Sequence, residues 1–485
     1  MTGRPNVLLI TLDQFRADAM SCAGHPLVLT PNLDRLAASG VRFARHYAQA
    51  APCSPGRASL YTGMYQMNHR VVANGTPLDA RFDNVALMAR RAGYAPALFG
   101  YTDQGADPRT IDDPLDPRLS TYEGVLPGFD VETLLVSDHG PWIEWLSSLG
   151  YHVTDAFHAL RTEHERPVEH SLSSFTTDRL LAWLGGKGKS DSAAPWFAHV
   201  SYLRPHPPFS AAGHFASKYD PDHCGDALPI PPDPHPLHSV VLADRRASAP
   251  ADRRALGKLR AQYFGMISEV DAQLGRVWDH LEASGEWGNT VVVVTADHAE
   301  QLGDQGLLGK LGFFESSYHI LGIVRDPRRP QAHGTTVNHF TENVDVLPTL
   351  CELLGQPIPA QVDGCSLVPF LSGEAPGAWR RAATYEFDWR DVLIQLDPER
   401  WPWDARLAEC NLAVRRSADR AYVQFGDGSW RCFDLAKDPT WCTQETDPHT
   451  VLAEAQDMLV WRSRHLDRTL TGMLLESGGI GRRPV

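Results

Sequence analysis

The chain runs to 485 residues, enough for one large domain with a smaller companion or for two to three domains. Its composition, 43% hydrophobic and 21% charged, is that of an ordinary globular protein. A formal net charge of −14 argues against a general nucleic-acid binder, which needs clustered Lys and Arg, yet leaves room for a small anionic substrate at a locally positive site. The start, Met1 to Ile10, carries too short an apolar run for a secretory signal, and no stretch approaches a membrane span. Eight cysteines (22, 53, 224, 351, 365, 410, 432, 442) show no CxxC pairing. These features predict a cytoplasmic protein without a disulfide framework.

Taken in chain order, the apolar run Asn6–Thr11 reads as a buried parallel strand. Pro31–Ser39 is a short helix, opened by its proline and stopped by Gly40. Asn84–Ala92 is predicted helical and leads through Gly93 into the strand Ala95–Phe99; Trp196–Leu203 is another strand. Helical spacing of Phe264, Ile267, Val270, Leu274, Val277 and Leu281 predicts a helix over Tyr263–Ala283. The β-branched run Thr290–Thr295 is a central strand, and Val344–Leu354 is helical. After about Ala375 the pattern changes to short strands, Asn411–Val414, Ala421–Phe425 and Ser429–Asp434, with the turn signal Gly426-Asp427-Gly428. A long helix is predicted over Val451–Leu475, with Gly478–Val485 either frayed or contacting another subunit.

The expected fold is α/β: a large, mostly parallel sheet sandwiched by helices, then a smaller antiparallel sheet with a C-terminal helix. The expected division is 1–375 and 376–485. Two irregular inserts, Gly105–Glu123 and Arg204–Arg254, are expected to wall an active site or contact another subunit.

Three segments carry chemistry. Asp13-Gln14 follows a predicted strand, where α/β proteins place ligands, although a turn capped by Asp explains the pair equally well. Asp297-His298 sits at the end of the predicted central strand and offers oxygen and nitrogen to a metal; downstream lie Gly303, Gly306, Gly309 and Lys310. The third segment is Pro52-Cys53-Ser54-Pro55-Gly56-Arg57, a Cys-x-Pro-x-Arg motif ahead of a helix start at about Ala58.

Together these segments resemble the formylglycine-dependent type I sulfatases of the alkaline phosphatase superfamily, from Asn6 to about Leu354. A looser match returns at Cys432–Pro439. Four details are similar to the branch of phosphonate monoester hydrolases and promiscuous arylsulfatases: Asp13-Gln14, His298, Gly100-Tyr101-Thr102, and Leu203-Arg204-Pro205-His206-Pro207-Pro208.

The resemblance implies an alkaline-phosphatase-like fold and a Cys53 oxidised after translation to formylglycine, an aldehyde whose hydrate is the nucleophile. It implies metal ligation by Asp13, Gln14, Asp297 and His298, with an oxygen from modified Cys53. Arg57 is expected to hold the hydrate or the substrate oxyanion. Lys310 and His206 are expected to face the transferred group or the leaving oxygen, one of them donating a proton in its charged form. Tyr101 stands where a Lys is usual and Asp103 where many members have His, so the roles of both stay open. Thr102 is assigned a hydrogen bond to the transferred group.

Imidazole in the ligand set favours Mn²⁺, with Ca²⁺, Mg²⁺ or Zn²⁺ as alternatives. The expected activity is sulfate monoester hydrolysis, extended to phosphonate monoesters and phosphate diesters. The alternative is a dedicated phosphonate monoester or phosphodiester hydrolase. A different class of reading keeps Cys53 as a thiol, lowered in pKa at a helix N-terminus beside Arg57, in a redox-sensing protein. Expected partners are a small anionic ester, a formylglycine-generating enzyme and further copies of the chain in a homodimer or homotetramer.

Overall fold

A computed structural model describes residues 4–187, 194–390, 392–393, 409–466, 474–476 and 479–481. Its centre is a nine-stranded sheet. The strands are β1 (Asn6–Leu12), β2 (Val41–Tyr47), β3 (Pro96–Gly100), β4 (Asp130–Leu134), β5 (Phe197–Tyr202), β6 (Thr290–Thr295), β7 (His319–Ile320), β8 (Gly322–Arg325) and β9 (Thr335–Glu342). The order is β4-β3-β5-β1-β6-β8-β2-β7, with β9 paired to β2. The block β4-β3-β5-β1-β6 is parallel throughout, while β8 runs antiparallel to both β6 and β2.

Alternation along β1 sends Leu8, Ile10 and Leu12 to one face and Val7 and Leu9 to the other. The first face packs on the helices Leu172–Lys187 and Arg253–Ala283; the second packs on Val85–Arg91 and Val346–Leu353. Burial on both faces explains why β1, β5 and β6 read as continuous apolar runs.

A second sheet, antiparallel, consists of β10 (Ala382–Asp388), β11 (Asn411–Ser417), β12 (Arg420–Phe425) and β13 (Trp430–Asp434). The helix Pro448–Arg464 lies against it through Met458, which packs with Ala413, Tyr422 and Cys432. All eight cysteines are free. Among the described residues no helix is long and apolar enough to cross a membrane.

Several expected boundaries move. The long helix begins at Arg253, because the Asp252 side chain accepts from Ala255 N and caps a turn well ahead of the apolar stripe. The last helix ends at Arg464, not Leu475: Leu474–Glu476 is a strand (β14) paired with Gly479–Gly481 (β15). The rest of the tail lies outside the described residues. Strand β2 has exposed Arg45 between buried positions, and β4 and β9 begin with exposed polar residues, which hid all three in the sequence.

Because β1, β3, β5 and β6 are parallel, their carboxyl ends open on one edge of the sheet. Asp13-Gln14 leave β1, Tyr101–Asp103 leave β3, Leu203–His206 leave β5 and Asp297-His298 follow β6.

Candidate active site

The Cys53 motif reaches that edge on a helix, Cys53–Thr62, whose ten residues are all buried. The helix starts at Cys53 itself, five residues before the expected start. Gly56 lets it approach the site: a Cβ there would lie 2.5 Å from the Asp297 carbonyl oxygen. Asn74 Oδ1 accepts from Ser54 N at 3.0 Å and anchors the first turn.

The sheet edge and this helix bring Asp13, Cys53, Asp297 and His298 together, with one ligand atom from each within 4.8 Å of the others. All four side chains are buried. Asp13 Oδ2 accepts from Tyr101 Oη at 2.6 Å and from Arg57 at 3.2 Å. Asp13 Oδ1 is buried with no hydrogen-bond partner among the described residues. Asp297 Oδ1 accepts from Gln14 N and His298 N, and its Oδ2 accepts from Arg57 Nε at 3.1 Å. His298 Nδ1 is 3.2 Å from the Ala299 carbonyl; a carbonyl can only accept, so Nδ1 carries the proton and Nε2 turns a lone pair to the cluster. An orphaned carboxylate oxygen, a bare imidazole nitrogen and a second buried carboxylate fit a divalent cation. The Gln14 amide lies at the same edge, its Oε1 3.0 Å from Lys310 Nζ.

Lys310 Nζ also reaches Cys53 Sγ at 3.1 Å, and His298 Nε2 lies 3.4 Å from that sulfur. Burial alone would lower the Lys310 ammonium, but Cys53, Asp13 and Asp297 outweigh it and hold the group above its ordinary value. Burial pushes the Cys53 thiol up, and Asp13, Asp297 and Asp103 push it further against the opposing pull of Lys310. Burial thus works against the lowered thiol that redox sensing needs, despite the helix N-terminus.

Three expected roles change. Arg57 is fully buried and donates to Asp13, Asp297, Ser201 Oγ at 2.9 Å and the Tyr101 carbonyl, so most of its donors hold the carboxylates and loops of the site in place. Thr102 donates to the Gly124 carbonyl at 2.9 Å and accepts from Leu126 N at 2.8 Å, which ties its hydroxyl into loop structure away from the cluster. His206 Nδ1 lies 2.7 Å from the Pro207 carbonyl and so carries the proton; burial, aided by Lys310, lowers the ring to about 4. His206 is thus neutral, and its Nε2 is a hydrogen-bond acceptor rather than the charged donor expected. Tyr101 places its ring 4.3 Å from the Arg57 guanidinium carbon and orients Asp13.

Asp103 is buried 3.6 Å from Arg57 Nε, on a left-handed backbone (φ 50°), as is Gln14 (φ 69°). Burial raises Asp103 to about 7, with Asp13 and Asp297 adding to it against Arg57.

A cavity of about 730 Å³ opens on Asp13, Cys53, Tyr101, Asp103 and His206. Tyr122 and Glu123 from one irregular insert, and Pro207, Pro208 and Arg246 from the other, line it. Phe157 and Leu160, on the helix Ala156–Arg161, complete the wall; nothing in their sequence marked them. A larger groove of about 870 Å³, between Gln66–Pro77 and the small sheet, contains no member of the cluster. Sequence reading also missed Ser201, Asn74 and Glu300, whose partners lie far away in the chain.

A family model described as Sulfatase matches residues 5–356. The chain is 36% identical over 509 aligned positions to the multifunctional alkaline phosphatase superfamily protein PehA of Trinickia caryophylli, across 96% of this chain and 97% of that one. The phosphonate monoester hydrolase of Agrobacterium radiobacter superposes with a TM-score of 0.90 at 42% identity, covering 99% of this chain and 100% of the other. The phosphonate monoester hydrolase of Silicibacter pomeroyi gives 0.87 at 34%, covering 99% of each. The chain belongs to the sulfatase family of the alkaline phosphatase superfamily, with phosphonate monoester hydrolases among its near relatives, and is an ester hydrolase.

Proposed function

We propose that the protein hydrolyses phosphonate monoesters, phosphate diesters and sulfate monoesters at a site built on one divalent cation and a formylglycine made from Cys53. The carrying observation is the buried Asp13–Cys53–Asp297–His298 cluster with its unpartnered Asp13 oxygen. The relatives at 42% and 34% identity favour phosphorus esters ahead of the sulfate-first order suggested by the Cys motif.

When present, the cation supplies Lewis acidity and the formylglycine hydrate a hydroxyl nucleophile. Asp13, Gln14, Asp297 and His298 are the protein side chains that would hold the cation, with residue 53 beside it. Arg57 and Tyr101 fix the Asp13 carboxylate so that Oδ1 points inward. Lys310, charged and beside residue 53, stabilises negative charge on the transferred group and is the proton donor available to a leaving oxygen. His206 accepts a hydrogen bond at Nε2. The apolar wall of Leu135, Phe157, Leu160, Pro207 and Pro208 accepts the organic part of the ester.

Two carboxylates in the ligand set, against a neutral amide and a neutral imidazole, leave the site comparatively positive, which suits singly charged esters. The imidazole disfavours Ca²⁺ and Mg²⁺, which prefer all-oxygen shells; with two carboxylates and an amide oxygen beside it, Mn²⁺ is the proposed metal and Zn²⁺ the alternative. The same reading includes a formylglycine-generating enzyme for maturation, a homodimer or homotetramer, a division near residue 375 and, from the eight free thiols, a cytoplasmic setting.

The deciding experiment measures the mass of the peptide containing residue 53 and, on the same sample, kcat/KM for a phenyl phosphonate ester, a phosphate diester and an aryl sulfate. The expected result is an aldehyde mass, phosphorus esters ahead, and no turnover in Cys53→Ala. A fully active protein carrying an intact thiol removes the formylglycine mechanism. An aryl sulfate leading by orders of magnitude restores the sulfate-first order.

A further inference from the structure

We propose that Glu300 is the positioning residue that determines both the identity and the orientation of the side chain at position 14. The inference rests on the metal-site reading above. Glu300 is fully buried. Its Oε1 accepts from Leu302 N at 2.8 Å and Gly309 N at 2.7 Å, and its Oε2 accepts from Gln14 Nε2. Oε1 is filled by two backbone N–H groups, and Oε2 is the atom that faces residue 14. Gln14 meets it with Nε2 as a donor, because the Lys310 ammonium at the other end of the amide can only donate and takes Oε1.

That requirement turns Gln14 Oε1 the other way, toward Lys310 Nζ and the cluster. The Lys310 ammonium can only donate and needs that oxygen. Two neighbours with opposite demands leave the amide one orientation, the one that offers oxygen to a cation. A carboxylate at position 14 would instead stand against the Glu300 carboxylate in a buried site, which explains why a neutral amide occupies this place. Glu300 also pins the backbone next to Lys310, because the Gly309 N–H that it accepts immediately precedes that residue, and Gln301 N secures the Gly309 carbonyl at 2.8 Å. One buried carboxylate thus sets two members of the site without touching the reacting atoms.

The test is a donor–acceptor swap. In Glu300→Gln the introduced amide must keep its oxygen toward Leu302 N and Gly309 N, so it presents NH₂ to Gln14. Gln14 then turns over and faces the cluster with nitrogen. Adding Gln14→Glu restores the hydrogen bond with its polarity reversed and returns an oxygen to the cluster. Mn²⁺ binding is measured by calorimetry on chelator-treated full-length protein, with thermal unfolding alongside. Glu300→Gln is expected to weaken Mn²⁺ binding by about 10- to 100-fold, and Gln14→Glu/Glu300→Gln to recover most of it, a rescue that a purely structural role would not produce.

A Glu300→Gln affinity within about twofold of wild type, or a double variant no better than the single one, overturns the inference. If Glu300→Gln does not fold, recovery of the wild-type Tm in the double variant supports the pairing, and failure of both overturns it. A wild-type protein that takes up none of Mn²⁺, Ca²⁺, Mg²⁺ or Zn²⁺ removes the metal reading instead; the Gln14–Glu300 pairing then stands or falls on whether the double variant recovers the Tm lost in the single one.

Discussion

Single side chains in this protein are governed by what burial does to their protons. His69 is a clear case outside the cluster. Its Nδ1 accepts from Val71 N at 3.0 Å, so Nε2 carries the proton and meets Ser59 Oγ at 3.0 Å. Burial pushes the ring down to about 3. The unfolded chain protonates His69 near its ordinary value of 6.5, whereas the folded chain resists until about 3. Its contribution is therefore fully present above pH 6.5 and is lost as pH falls toward 3, at ~1.4 kcal/mol per pH unit. His69→Gln removes this titration, so the stability gap between wild type and variant should shrink from pH 7.5 to pH 5. Urea unfolding at the two pH values checks it, and a constant gap contradicts it. His206 obeys the same rule inside the site, where it becomes a neutral acceptor in place of the charged donor that its position in the motif suggested.

At the scale of elements, the decisive object is the helix Cys53–Thr62. A helix buried on every side has no solvent face, and its composition mixes small and polar residues that each meet a specific neighbour. Gly56 is the point of closest approach, facing the Asp297 carbonyl at 2.5 Å and the Ala50 carbonyl at 3.0 Å from its notional Cβ. Gly56→Ala must displace either this helix or the turn after β6. The expected outcome is a loss of about 1–3 kcal/mol in stability, together with weaker Mn²⁺ binding because Asp297 moves. A Gly56→Ala protein with wild-type Tm and metal affinity would show that the contact has slack. The elements supplying Asp13 and Asp297 are better buffered, since β1 and β6 are central strands paired on both sides.

For the whole molecule, the cluster draws ligands from chain positions as far apart as 13 and 298, so a bound cation ties β1, the helix Cys53–Thr62 and β6 together. Such a ligand set does not exist in the unfolded chain, and binding energy becomes folding energy. Raising free Mn²⁺ to 100 times its Kd should add ~2.7 kcal/mol to the unfolding free energy. The Tm of chelator-treated protein should rise on Mn²⁺ addition and stay unchanged in Asp297→Ala. Equal shifts in both proteins would place the cation elsewhere.

The sequence alone determined the strands β1 and β6, because continuous β-branched and aliphatic runs bury on both faces. It also pointed to the residues at their carboxyl ends, which the structure brings together, and it marked both inserts that line the cavity. The turn signals after Ala375 foretold a small antiparallel sheet. The tertiary structure decided the tasks within the site. Arg57, Tyr101 and Thr102 have their partners fixed by residues more than twenty positions away, and tautomers depend on which carbonyl a ring nitrogen meets. The pairing of Gln14 with Glu300 spans 286 positions, and no local pattern encodes it. Local sequence sets propensity and burial pattern; hydrogen-bond polarity across a closed core is fixed when distant strands meet.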